Sequence, residues 1–95
     1  MINNFEDYLK TIDFEQLTES QRSEFQLLET YKIVFEDGQI GNNVLKDLQN
    51  RFYFYNTTKG DTPEETAMRE GMRFVVLYIL ENIEKAKLKD KLNIN

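Results

Sequence analysis

The sequence predicts an all-α domain of three main helices and a short N-terminal helix, with the C-terminal helix at the centre. Apolar residues recur at the three- and four-residue spacing of helices, capping signals open two of them, and no convincing pair of strands exists. With 95 residues, 40% of them hydrophobic, the chain is expected to be a single domain over residues 1–95. A domain this small buries only about two-thirds of its unfolded surface, so a partner can supply part of its stability.

The first predicted helix covers residues 3–12, with Asn3 or Asn4 as its N-cap. Its apolar side consists of Phe5, Tyr8, Leu9 and Ile12. A helix this short is marginal unless it docks. We expect it to dock on its own domain, and docking on another protein is the alternative.

The second and third helices are predicted on either side of a glycine-containing corner. Residues 18–21 (Thr-Glu-Ser-Gln) form a capping box, and Gly38 is expected to end the second helix in the left-handed conformation. The third helix is expected to run from Gly41 or Asn42 to about Phe52. Because the two glycines are so close in sequence, these helices should form a hairpin with a tight corner.

Four consecutive aromatic residues follow in the segment 51–55, RFYFY. We interpret them as the frayed end of the third helix and as anchors of the next loop, because aromatic side chains contribute large areas to a small core. A strand with Phe52 and Phe54 pointing inward is one alternative. Base stacking is another, although the run lacks the glycines of ribonucleoprotein motifs.

The strongest helix signal runs from Asp61 to Leu88. Thr62 begins a capping box with proline at the first helical position, and the acids near its start and lysines near its end suit the helix dipole. The apolar residues of this helix lie on all sides of its surface. The helix should therefore be buried on all sides by the other helices or by a second subunit. Gly71 in its interior is expected to mark a close helix approach.

Charge is unevenly distributed along the chain, whose net charge is −5. Residues 1–38 form an acidic region with nine acids and three bases, and residues 85–95 form a basic tail with a net charge of +3. We interpret the tail lysines as a solvated helix end and the Glu29 and Glu36 side of the second helix as solvated. The alternatives are DNA binding by the tail and a partner-binding acidic face; overall acidity makes nucleic acid an unlikely partner.

The composition argues against catalysis. The chain has neither histidine nor cysteine, and it contains no glycine-rich phosphate loop. We therefore expect no enzymatic activity, no cofactor and no metal. The longest apolar run, Phe74 to Leu80, is far shorter than the roughly 18 residues that span a bilayer, and the N-terminus lacks the pattern of a signal peptide. No membrane partner is expected.

Two arginines flank the glycine in the sequence Arg69-Glu70-Gly71-Met72-Arg73. Such a pair could clamp a carboxylate or a phosphate. We favour the simpler interpretation, in which Glu65 stabilises Arg69 one turn away and the arginines join an ion-pair network with the acidic helix at 18–36.

The succession of motifs resembles a family of small tailed-phage proteins whose name-giving member comes from a Bordetella phage. The motifs are Val44–Leu48 (VLKDL), the aromatic stretch, a proline-containing loop, and Arg69–Arg73 (REGMR) before an apolar helix, together covering residues 41–83. The resemblance implies a phage protein of the virion or its assembly, and no enzymatic activity is known for such proteins. Residues 1–38 lie outside it.

The leading hypothesis is a protein–protein interaction component: a minor head, neck or cargo protein, or an assembly factor. Its expected partners are other phage structural proteins or a second copy of the chain, in the virion or the host cytoplasm. The residues proposed to bind a partner are Phe52, Tyr53, Tyr55, Arg69 and Arg73. The alternative is an acidic regulator that mimics nucleic acid and inhibits a basic host or phage enzyme. Its candidate residues are Glu19, Glu24, Glu29 and Glu36.

Overall fold

The computed structural model describes residues 2–52 and 62–93, with the side chains of residues 2 and 3 excepted. Its elements are α1 (Ile2–Leu9), α2 (Glu19–Lys32), a π-helical segment (Ile33–Asp37), α3 (Gln39–Phe52) and α4 (Pro63–Asn93). The described ranges contain no strand, so the all-α prediction is confirmed. The C-terminal helix is central, as predicted, because α1, α2 and α3 all pack against α4.

Helix α1 docks on its own domain, which confirms the favoured prediction. It begins at Ile2, earlier than an N-cap at Asn3 or Asn4 would place it. Phe5 and Leu9 are buried in a cluster with residues of α2 and α4. The other buried members of this cluster are Phe25, Leu28 and Ala86. A second cluster, farther toward the N-terminus of α4, is formed by Leu45, Ile79 and Ile83.

Both predicted capping signals operate. The Thr18 hydroxyl accepts a hydrogen bond from the Gln21 backbone N–H at 3.1 Å, and the Gln21 side chain accepts one from the Thr18 N–H at 2.9 Å. At the start of α4, the Thr62 hydroxyl accepts from the Glu65 N–H at 3.1 Å. These bonds satisfy backbone donors that the first turn of a helix would otherwise leave without partners.

The corner between α2 and α3 is tight, but its geometry differs from the prediction. The backbone N–H of Gly38 donates to the Ile33 carbonyl at 2.9 Å, closing a wider π turn. Gly38 then adopts an extended conformation, with φ −86° and ψ 126°, so the predicted left-handed conformation is wrong. Beyond the corner, α3 packs on the π-helical segment, which is the end of the predicted second helix, and on α4.

Gly41 is required at this corner. A Cβ atom at its position would lie 1.7 Å from the Val34 carbonyl oxygen, which is backbone and cannot rotate away. Beside it, the Asn42 side chain donates to the Phe35 carbonyl at 3.1 Å. The third helix begins at Gln39 rather than at Gly41 or Asn42, so Gly41 lies in its first turn, against Val34.

Of the two predicted ways of burying α4, the first is wrong for the described chain, because the other helices do not cover it on all sides. Large apolar side chains are exposed along its N-terminal half, and nothing lies within 4 Å of a Cβ built at Gly71. The physical reason is length: the 31 residues of α4 span about 46 Å, whereas the 14 residues of α2 or α3 span about 21 Å each. Gly71 therefore does not mark a helix contact among the described residues.

Candidate interaction surface

An apolar groove lies where α2 and the π-helical segment meet α4. Its volume is about 410 Å³. Its lining residues are Leu27, Thr30, Tyr31, Val34, Phe35, Val75, Tyr78 and Ile79. The Tyr31 ring meets Tyr78 edge-on at 5.6 Å between centroids and stacks on Phe35 at 6.0 Å. Burial, with Tyr78 beside it, raises the pKa of the Tyr31 hydroxyl. The lining contains no aspartate, glutamate, lysine or arginine, so the groove is uncharged at neutral pH.

Exposed apolar residues of α4 extend this groove toward the start of the helix. Phe74 is 65% exposed and Val75 61% exposed, and each lies one turn from another exposed apolar residue, Tyr78 or Met72. We call the resulting surface the apolar face. It comprises Leu27, Val34, Met68, Met72, Phe74, Val75 and Tyr78.

The size of the apolar face distinguishes it from ordinary surface residues. A large apolar side chain presents on the order of 200 Å² when fully exposed, so seven side chains that are about half exposed leave roughly 700 Å² in total. Soluble monomers rarely expose contiguous apolar patches larger than a few hundred Å², whereas isolated exposed hydrophobic residues are common. The apolar face is therefore the strongest candidate for a docking surface on the described chain.

The residues selected from the sequence lie elsewhere. Phe52 ends α3 and is half-buried. Arg69 donates to the Glu65 carboxylate at 2.7 Å, the pairing expected within α4. Neither Arg69 nor Arg73 lines the groove, and helical periodicity places both on a different side of α4 from Phe74 and Tyr78. Tyr53 and Tyr55 lie outside the described residues.

The sequence predicted the apolar surface of the last helix and left open whether the other helices or a second subunit covers it. It did not indicate which half of the helix is uncovered, although a predicted helix from Asp61 to Leu88 is too long for two shorter helices to cover. The sequence also placed Leu27 and Val34, seven residues apart, on one side of the second helix.

The basic tail is only in part the solvated helix end that was predicted, since Lys87 and Lys91 are exposed whereas Lys89 is largely covered. The tail continues α4 to Asn93 and binds the acidic second helix. The Lys89 ammonium lies 3.5 Å from Glu29 Oε2 and 2.9 Å from Asp90 Oδ1, and its side chain is only 12% exposed. Lys32 of α2 lies 3.7 Å from Asp90 Oδ2. We call Glu29, Lys32, Lys89 and Asp90 the tail cluster.

Acidic residues of the second helix are thus engaged within the chain. Besides Glu29, Glu36 pairs with Lys87, whose pKa is raised chiefly by that hydrogen bond, and Glu24 accepts from the Tyr8 hydroxyl at 3.4 Å. These contacts occupy three of the four acids on which binding to a basic enzyme would depend. The same contacts pair Lys87 and Lys89 with carboxylates of the predicted second helix.

The tail cluster makes stability depend on pH through two carboxyl groups with opposite shifts. Burial raises the pKa of Glu29, whose Oε2 lacks a hydrogen-bond donor; a protonated Glu29 can instead donate to Asp90. For Asp90, burial also acts to raise the pKa, but hydrogen bonds from Lys89 and Glu29 outweigh it and lower the pKa.

These shifts predict opposite effects of two isosteric substitutions. Stability from Glu29 is present below its unfolded pKa, about 4.3, and is lost as pH rises through the higher folded value. Glu29→Gln should therefore stabilise the chain at pH 7. Stability from Asp90 is present above its unfolded pKa and is lost as pH falls through the lower folded value, so Asp90→Asn should destabilise at pH 7.

The effects of both substitutions should stay below about 1 kcal/mol. The effect of Glu29→Gln should shrink as the pH falls toward about 4, whereas the effect of Asp90→Asn should shrink chiefly below about pH 4. Urea unfolding of the wild type and both variants between about pH 3 and pH 7 measures them. If the Glu29→Gln variant were less stable than wild type at pH 7, the attraction of Lys32 and Lys89 for the Glu29 carboxylate would outweigh the cost of burying its charge.

The described part of the chain shows no arrangement of three or more acidic, histidine or cysteine side chains suited to a metal ion. None of its described helices combines the length and the apolar character needed to cross a bilayer.

The comparison with protein families extends the resemblance seen in the motifs. A model described as Bbp19-like phage protein matches residues 31–93, wider at both ends than the motif region 41–83. The match includes the tight corner, α3, all of α4 and most of the apolar face. No curated protein and no solved structure is significantly similar to the chain. Since the matched residues make up more than half of the sequence, the chain belongs to the Bbp19-like phage protein family.

Proposed function

We propose that this chain is a non-enzymatic interaction component of a tailed-phage particle or of its assembly. It would serve as a minor head, neck or cargo protein or as an assembly factor, in the virion or in the host cytoplasm. The apolar face carries this proposal, because its seven exposed side chains leave roughly 700 Å² of apolar surface, the kind of area that proteins bury against partners. The family membership supports the phage context.

The position of the apolar face within the fold supports a docking role. The C-terminal half of α4 is held by α1, α2 and the tail cluster, so the helix is anchored independently of any partner. Its N-terminal half can then present Met68, Met72 and Phe74 from a rigid element without ordering a loop on binding. In the infected cell, the expected partners are other phage structural proteins or a second copy of the chain.

Quantitative mass spectrometry of purified phage particles tests the proposal. A copy number that is a multiple of a ring symmetry would identify a structural component. Absence from particles, together with presence in assembly intermediates from infected cells, would identify an assembly factor. Absence from both would refute the proposed function.

A pair of phage variants tests whether the apolar face is responsible. Val75→Glu places a charge at its centre, whereas Ile40→Glu places the same charge on α3 at a residue that is 83% exposed and outside the groove. We expect Val75→Glu to remove the chain from particles or intermediates and Ile40→Glu to leave it there. Equal retention of both variants would assign docking to a different surface.

A further inference from the structure

We propose that a second copy of this chain covers the apolar face, in a two-fold contact between the N-terminal halves of two α4 helices. This inference rests on the proposed docking role of that face and names its occupant.

The exposed area is what a dimer of this kind needs. Roughly 700 Å² of apolar surface per chain is close to the approximately 800 Å² that each partner contributes to a standard stable interface. In a two-fold dimer the same patch is used twice, so one face on each chain completes the contact. No second patch of comparable size is required.

The shape of the apolar face is self-complementary. It contains a groove of about 410 Å³. It also contains the exposed ring of Phe74, which lies one helical turn from Tyr78 at the groove. In a two-fold contact, Phe74 of each chain can enter the groove of the other, so the two-fold symmetry fills both grooves in the same way. The open space at Gly71, where nothing lies within 4 Å of a Cβ, lets a second helix approach closely.

The charges around the face permit contact between two copies despite the net charge of −5. The groove has no ionised lining residue, and α4 between Glu64 and Arg73 carries both signs, with Glu65 and Arg69 paired. Farther along the molecule, Glu29 and Glu36 are paired with lysines of the same chain. Repulsion between two copies at this face is therefore small.

The test is the mass of the purified full chain in solution, measured by sedimentation equilibrium between about 1 and 100 µM, a range in which interfaces of standard size commonly associate. We expect the mass to rise from 11.4 kDa toward twice that value. Val75→Glu and Met68→Glu should each weaken association at least tenfold with unchanged far-UV circular dichroism. The control Ile40→Glu should dimerise like wild type.

Two results would overturn the proposal. One is a wild-type chain that remains monomeric at 100 µM, and the other is a dimer that neither Val75→Glu nor Met68→Glu weakens. A monomeric chain that is nevertheless found in phage particles would leave the proposed function standing, with another phage protein on the face. A chain that dimerises but is absent from particles and intermediates would refute the proposed function instead.

Discussion

Replacement of Gly41 by alanine is expected to lower the free energy of unfolding by about 2–4 kcal/mol. The new Cβ would lie 1.7 Å from the Val34 carbonyl oxygen and 2.7 Å from the Val34 carbonyl carbon. Both atoms are backbone, so relief requires movement of the π-helical segment itself. That movement would disturb the Gly38-to-Ile33 hydrogen bond and the Asn42 side-chain bond to Phe35, which together hold the corner. Urea denaturation followed by circular dichroism measures the loss.

Gly71→Ala is the matched control, because the same substitution should have the opposite sign there. The position lies inside α4 with nothing within 4 Å of the added Cβ, so alanine should stabilise the chain by about 1 kcal/mol through its higher helix propensity. If Gly41→Ala were as well tolerated as Gly71→Ala, the tight approach of α3 to Val34 would not exist in solution.

The helix caps and the glycine corner show which parts of the fold could be predicted from the sequence. The capping of α2 by Thr18 and of α4 by Thr62 depends on bonds that reach three residues along the chain, so the local sequence was sufficient. The π turn and the extended Gly38 depend on the fit of Gly41 against Val34, a packing contact without a signature in local spacing. The predicted left-handed cap failed for that reason.

The candidate site shows the same limit on a larger scale. The sequence identified the apolar character of α4, but whether an apolar residue is covered depends on the lengths and positions of the neighbouring helices. Phe74 and Val75 are exposed for that reason, while Val76, adjacent in sequence, is buried. Similarly, counting charged residues along the sequence was enough to identify the acidic region and the basic tail. Their pairing follows from the packing of the end of α4 beside α2, which places Lys89 near Glu29.

The division of α4 into an anchored half and an uncovered half links the fold to the proposed function. Helix α1 and the tail cluster cover only the C-terminal half. The apolar side of α1 is therefore buried in the core of the chain itself. Had α1 been a free arm, it would itself have been the best candidate for a docking element. The docking of α1 within the chain thus shifts that role to the apolar face.

Replacement of Leu9 by alanine tests this division and is expected to cost about 2–5 kcal/mol. Leu9 is 1% exposed in the cluster with Phe25, Leu28 and Ala86, so its loss leaves a cavity in the core where α1 meets α2 and α4. For a domain whose total stability lies in the range of about 5–15 kcal/mol, that is a large fraction. Urea unfolding at about 1 µM, where association contributes little, measures the change.

Leu27→Ala is the control, since it removes the same atoms from a residue of the apolar face that is 50% exposed. It should cost less than about 1 kcal/mol in the unfolding experiment, because little buried surface is lost and no closed cavity forms. In the sedimentation experiment the order should reverse, with Leu27→Ala weakening association of the folded chain. If both substitutions changed unfolding equally, α1 would not be docked on its own domain in solution, and its apolar side would become the docking element in place of the apolar face.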